Sequence, residues 1–236
     1  SITGQSGLLG NGRPMGLSAR VARGRALNVL SHLVTTGRGS TLLLRPQAST
    51  VAEDQESEAI FLGLGAAYLP DLARARFNAA YRTHNQEALL ALREQFLALG
   101  DRLWAAECDL VLMWVVYPYG HEKTIQSGEE ALAIFRAAGD RYGEGQALHR
   151  LAYCEFWRGD PGRGIALANE GIACLRTAGE PGAAEALRGV LAAIAASQGD
   201  YPEAFRQAAL IRDAARQVGS RELLNLSLGF AGLSAW

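Results

Sequence analysis

The chain has little with which to build a disulfide frame, a metal centre or a membrane span. Its three cysteines, Cys108, Cys154 and Cys174, are odd in number and widely spaced. That fits neither a disulfide framework nor a cysteine-based zinc site, and leaves them as small apolar residues of a core. No run approaches the roughly eighteen uncharged apolar residues that a spanning helix needs; the most apolar stretch, residues 110–119, is short and contains Pro118. Lysine is almost missing, with Lys123 alone beside twenty-two arginines. Acidic residues are absent from the first fifty positions, which hold six arginines, while all twenty-four acids come later. Six arginines spaced by Gly, Leu and Val are too dilute for an electrostatic footprint on nucleic acid, so no direct nucleic-acid contact is expected. The first residues, Ser1-Ile2-Thr3-Gly4, have neither an initiator Met nor the layout of a secretory signal. They raise the expectation of a trimmed segment of a cytoplasmic protein. Strand patterns are scarce too, residues 41–44 being the one short apolar run that could pair.

What is present reads as helix. A Gly followed by an acidic or small polar residue returns every twenty residues, at Gly139-Asp140, Gly159-Asp160, Gly179-Glu180, Gly199-Asp200 and Gly219-Ser220, and each pair closes an Ala/Leu-rich stretch. Glycine just past a helix adopts the left-handed cap, and Asp at the next position can open a new helix. Pro161, Pro181 and Pro202 follow three of these marks, where a first helical turn needs no amide proton. Earlier, Leu89, Leu92, Phe96 and Leu99 recur at helical spacing before Gly100-Asp101. The pattern predicts hairpins near 101–138, 140–178 and 180–218, with a further helix after them. Upstream it predicts a helix over 17–36, a loop near 46–55, and helices over 57–69 and 71–82 split at Pro70. The expected fold is all-α, an α-solenoid of antiparallel helical hairpins with an approximately 40-residue repeat. Residues 1–84 would be irregular, locally basic helices continuing the solenoid, and residues 85–236 the regular array.

Aligned on the Gly-Asp turn, residues 145–178 and 185–218 resemble tetratricopeptide (TPR) repeats, lengthened by about six residues per unit. The likeness lies in Leu151-Ala152, Gly159-Asp160, Leu191-Ala192, Gly199-Asp200-Tyr201 and Ala204. Leu148 and Arg188 stand where that family favours Trp, and Gly164 and Gly171 where it favours Ala. Forty-residue repeats of this kind resemble those in the sensor regions of large bacterial transcriptional regulators, including LuxR-type ATP-binding activators and antibiotic regulatory proteins. The resemblance implies an array that binds an inducer or partner and relays the event to separate ATPase and DNA-binding domains. The Gly-rich residues 4–12 lack the Gly-Lys-Ser/Thr ending of a phosphate loop and are not read as a nucleotide cradle.

In such arrays the first helix of each hairpin lines a concave groove. The groove residues this implies are Gln146, His149, Tyr153 and Trp157, with Asp109, Met113 and Tyr117 one period earlier. His149, Tyr153 and Trp157 stand four apart on one face. They suit aromatic walls for a ligand and equally suit packing between repeats. The groove lacks the Lys, Asn and Arg set of a chaperone carboxylate clamp. The histidines His32, His84, His121 and His149 are scattered and have no nucleophile beside them; Glu129-Glu130 reads as an exposed face, and His121-Glu122 as a helix cap. The expectation is therefore a non-catalytic interaction module needing no cofactor or metal. Its partner would be a protein, a peptide or a small-molecule inducer, with no membrane contact and with self-association through the repeat ends open to it. A stand-alone adaptor, and an enzyme with its site in the irregular first third, are the alternatives.

Overall fold

The computed structural model describes residues 15–36, 51–115 and 121–233, and the structural statements below concern these residues. All their regular structure is helical, with no strand among them; residues 41–44 lie outside the described residues. The helices are α1 (Leu17–Thr36), α2 (Val51–Leu62), α3 (Leu69–Thr83), α4 (Gln86–Ala98), α5 (Arg102–Val115) and α6 (Glu122–Ala138). They continue as α7 (Arg141–Arg158), α8 (Pro161–Thr177), α9 (Pro181–Ala186), α10 (Arg188–Ser197), α11 (Tyr201–Val218) and α12 (Arg221–Leu233).

The joints explain the boundaries. Gly139, Gly159, Gly179, Gly199 and Gly219 all take positive φ, from 67° to 97°. The next residue donates its amide five positions back, as Asp160 does to the Glu155 carbonyl at 2.9 Å and Asp200 to that of Ala195 at 2.9 Å. That residue's side chain then caps the new helix: Asp140 accepts from the Gly143 amide, Asp160 from Arg163, Asp200 from Glu203 and Ser220 from Leu223, at 2.9–3.2 Å. Two residues thus end one helix and begin another. Glu180 is a methylene too long for this geometry and makes no cap bond, and the helix it opens breaks at Leu187 into α9 and α10. The same joint occurs without glycine at His84 (φ 50°), where Asn85 caps α4.

Two upstream expectations are corrected. The helix expected over 57–69 instead runs Val51–Leu62, so the expected loop is already helical from residue 51; residues 46–50 lie outside the described residues. Glu53 and Asp54 fall in the first turn of α2, where acids favour a helix start, and Gly63 and Gly65 follow its end. Pro70 does not split a helix but sits in the first turn of α3.

Consecutive helices pack in pairs, most extensively α7 on α8, and further contacts skip one helix, α1 with α3, α3 with α5, α5 with α7 and α10 with α12, or, across the broken α9–α10 helix, two, α7 with α10. The interior is apolar from α4 onward, built on Phe96, Phe135, Leu148, Leu175, Leu187 and Ile194. Glycines inside helices mark the tightest crossings. A Cβ on Gly143 would lie 2.2 Å from the Phe135 ring, and one on Gly171 2.6 Å from Leu187. Gly171, a departure from the repeat pattern, is therefore a place where α8 must come close.

Three joints also carry a buried carboxylate paired with an arginine from the preceding helix. Arg93 pairs with Asp109 (2.6 Å), Arg136 with Glu144 (2.9 Å) and Arg176 with Glu185 (2.6 Å). Burial alone would raise the Glu144 carboxyl, but the guanidiniums of Arg136 and Arg141 together outweigh it and hold it below its ordinary value. Between α1, α2 and α3 a small apolar cluster of Ile60, Phe61 and Leu72 is joined by a buried polar layer. Ser57 donates to Asn28 Oδ1 (2.5 Å), Asn28 donates to the Asp71 carbonyl (2.8 Å), Asn78 donates to the Asn28 carbonyl (3.2 Å), and Arg82 pairs with Asp54.

Candidate binding face

The last turn of α3, the last turn of α5 and the middle of α7 bring rings together on one face. Trp114 of α5 lies 5.7 Å from Tyr153 and 6.1 Å from His149, both on α7, and these two rings are 5.4 Å apart. The Arg150 guanidinium sits 4.2 Å over the Trp114 ring, a distance at which the ring quadrupole attracts the cation. Tyr81, His84, Trp114, Val115 and Arg150 line a cavity of about 530 Å³. Toward α10 the face narrows: Gly189 lies below the Tyr153 hydroxyl, and the Phe230 ring of α12 comes within 2.8 Å of where a Gly189 Cβ would stand.

Charge is unevenly placed here. Burial, with a smaller contribution from Arg150, pushes the His149 imidazole down to about 3, so the ring is neutral at physiological pH and has one donor and one acceptor nitrogen. Burial raises the Tyr81 phenol; Arg150 opposes this, and buried Glu107 adds to it less strongly than Arg150 opposes it. Tyr81 and His149 are therefore neutral rings at physiological pH, and the Arg150 guanidinium lines the cavity beside Tyr81, His84 and Trp114.

Of the residues expected to line a groove, His149 and Tyr153 bring their rings within 5.4 Å of each other. Gln146 is half-buried one turn earlier on α7, outside the ring contacts. Trp157 is 61% exposed and packs on its neighbour Phe156 (5.4 Å), not on the Trp114 group. Asp109 does not face this cavity; it is buried and bound to Arg93 of α4. Met113 is 1% exposed, with its methyl 2.7 Å from where a Gly128 Cβ would stand on α6, so it fills the core between α5 and α6 and lines no opening. Tyr117 lies outside the described residues.

Trp114, Arg150 and Tyr81 were missed. A signal for Trp114 existed, since Gly100 to Gly139 spans thirty-nine residues and not forty. Counting back from Tyr153 by the true interval reaches Trp114, whereas forty reaches Met113. Equivalent positions of successive repeats are thus the two rings in contact.

Other openings exist; one of about 550 Å³ is lined by the Arg136–Glu170 and Arg163–Glu129 pairs with Leu132, Leu151 and Leu167, and by no ring. One of about 440 Å³ between α2, α3 and α4 has a floor of Ala79, Ala80, Ala88, Ala91 and Leu92, with Arg76 already paired to Glu58 (2.8 Å). One of about 600 Å³ surrounds the Arg93–Asp109 pair. Neither is lined by an aromatic ring, the usual anchor of a tight contact. Among the described residues no three His, Cys, Asp or Glu side chains converge as a metal site, and no helix is long and apolar enough to cross a membrane. Burial raises the Cys108 thiol, which removes its nucleophilic form at neutral pH. No family model, curated protein or solved structure matches the chain.

Proposed function

We propose that this chain is a non-catalytic interaction module, an α-solenoid of TPR-like hairpins whose concave face, built from α3, α5, α7 and α10, binds a ligand or partner segment. The observation that carries this reading is the contact of Trp114 and Tyr153, equivalent residues of successive repeats, beside a cavity that also holds Tyr81 and Arg150. Odd-numbered helices touching their odd-numbered neighbours suit an inner layer shorter than the outer one, which is how a solenoid gains a concave side. An aromatic pair with one face toward solvent offers a ligand more apolar area than packing alone would leave, and Trp114 keeps 36% of its surface exposed. The wider role, as the sensor segment of a bacterial transcriptional regulator, rests on the resemblance of the forty-residue repeat.

A thermal-shift screen of the full chain against metabolites and peptides tests the reading, with Trp114→Ala run in parallel. A binder at a hundred times its dissociation constant adds about 2.7 kcal/mol. The expected result is a compound that stabilises the parent and not the variant. A compound that stabilises both equally would place the binding site off this face.

A further inference from the structure

We propose that the outward side of α12 is a pairing surface for a second copy of the chain, the two α12 helices lying antiparallel about a two-fold axis. Gly139, Gly179 and Gly219 precede α7, α9–α10 and α12 at intervals of forty residues, so positions on α7 and α12 correspond eighty apart. On α7 the residues that meet α8 are Gly145, Leu148 and Ala152. A Cβ on Gly145 would lie 2.5 Å from Leu175 of α8, one on Gly171 of α8 3.2 Å from the Leu148 Cβ, and one on Gly164 of α8 3.0 Å from the Ala152 carbonyl. Glu185, Arg188 and Ala192 hold these places in the next unit and are covered as well: Glu185 and Ala192 are buried, and Arg188 donates to Gln207 of α11 at 3.1 Å. On α12 the same places are Asn225, Leu228 and Gly232, three and four apart on one face. All three are exposed; Leu148 is fully buried, whereas Leu228 shows 59% of its surface. α12 thus turns to solvent the side that α8 covers on α7.

The glycines point the same way. A Cβ added at Gly128, Gly143, Gly145, Gly171 or Gly189 would come within 2.8 Å of a side chain on another helix, whereas one at Gly229 or Gly232 would meet nothing within 4 Å. Glycine weakens a helix interior, and at the first five positions a close crossing offsets that loss. On α12 the crossing is open. The α7–α8 crossing also shows what fits it. There the match is reciprocal, Leu148 against Gly171 and Leu175 against Gly145. An antiparallel helix covering Leu228 and Gly232 must offer a leucine and then a glycine one turn later, which is what α12 itself carries. About a two-fold axis near residue 230, Leu228 meets Gly232 of the second copy, and Gly232 meets Leu228 of the second copy. Charge does not oppose the pairing: from Leu223 to Leu233 there is no Asp, Glu, Lys or Arg, so two equal faces meet without like charges across the axis. One helix pair is a small interface, which sets the dissociation constant on the order of tens of micromolar.

Sedimentation equilibrium of the full chain, over concentrations on both sides of that value, is the test. A monomer–dimer equilibrium is expected. Leu228→Asp should raise its dissociation constant at least about thirtyfold, with helix content intact because the side chain already stands in solvent. Gly232→Leu keeps the result readable should the first variant lose structure. In a single chain the new side chain enters open space and favours the helix, so the melting temperature at a concentration where the parent is monomeric should hold or rise while the dimer is lost. Trp114→Ala, on the other face, should leave the dimer as it is, which separates this surface from the proposed binding face. A chain that stays monomeric throughout would overturn the pairing, as would a dimer that survives both α12 substitutions. Assemblies that keep growing with concentration would overturn the two-fold axis, since they require a head-to-tail contact.

Discussion

The three-helix start of the described chain and the hairpins around α6–α8 solve the same packing problem by different means. In α1–α3 the helices are registered by buried side-chain hydrogen bonds, with Asn28 at the centre of a set that includes Ser57, Asn78 and the Asp71 carbonyl. In α6–α8 registration comes from the joints, each a left-handed Gly and a capping Asp, and from glycines of α7 that let Phe135 of α6 and Leu175 of α8 press onto it. The first device depends on particular long-range partners and leaves no period in the sequence. The second is local, repeats every twenty residues and can be extended indefinitely. A polar layer specifies one arrangement, because misregistered helices would strand its members. Joints specify a direction of growth.

The contrast can be broken at several points. The largest effect is expected from Phe135→Ala, which empties a fully buried site pressed against Gly143 and should cost about 3–5 kcal/mol by urea denaturation. A loss below about 1 kcal/mol would show that this crossing does not hold the repeats together.

Acid should act on the two regions with opposite sign. His149 has a folded pKa near 3, below its unfolded value, so its contribution is present above about pH 6.5 and is lost as pH falls toward 3. Burial raises the Asp54 carboxyl of α2, so folding is favoured as that group is protonated and opposed as pH rises through its folded value. His149→Gln should therefore flatten the acid loss of stability, by at most about 1.4 kcal/mol per pH unit, and Asp54→Asn should steepen it near pH 4. Unchanged pH profiles for both would remove the electrostatic half of the comparison.

Asn28→Ala should cost about 1–3 kcal/mol, since it leaves the Asp71 carbonyl without its buried donor, while Ser57 keeps the Gly24 carbonyl as acceptor. Adding Ser57→Ala should cost little more, because the two losses are one network; full additivity would show that the groups act separately. The smallest effects belong to the joints. Asp160→Ala should lose about 1 kcal/mol, whereas Glu180→Asp should gain several tenths by supplying the cap that α9 lacks. A Glu180→Asp variant no more stable than the parent would mean that the break at Leu187 has another origin.

The same contrast explains what could be read from the sequence. The helix ends at 139, 159, 179, 199 and 219 were legible because one residue type at one position fixes each turn, and α1 was legible from its apolar stripe. The start of α2 was not, since its signal is two acids in a first turn set among other polar residues. That His149 and Tyr153 share one side of α7 was legible from their spacing of four. Its partner on α5 was misplaced by one residue because the interval across the α5–α6 joint is one short of forty, and one residue on a helix turns a side chain by about 100°. That rotation exchanged exposed Trp114 for buried Met113, and buried Leu110 for the Arg93-bound Asp109. Arg150 carried no pattern at all; its place over Trp114 follows only once α5 and α7 are packed.

Hydrogen exchange along the full chain, with and without a saturating concentration of a compound that stabilises the parent in the thermal-shift screen, tests the binding face most directly. The account predicts added protection in residues 78–84, 107–115 and 146–153, the parts of α3, α5 and α7 that surround Trp114 and Arg150. Protection centred instead on residues 86–98, the α4 wall of the alanine-floored opening, would contradict it.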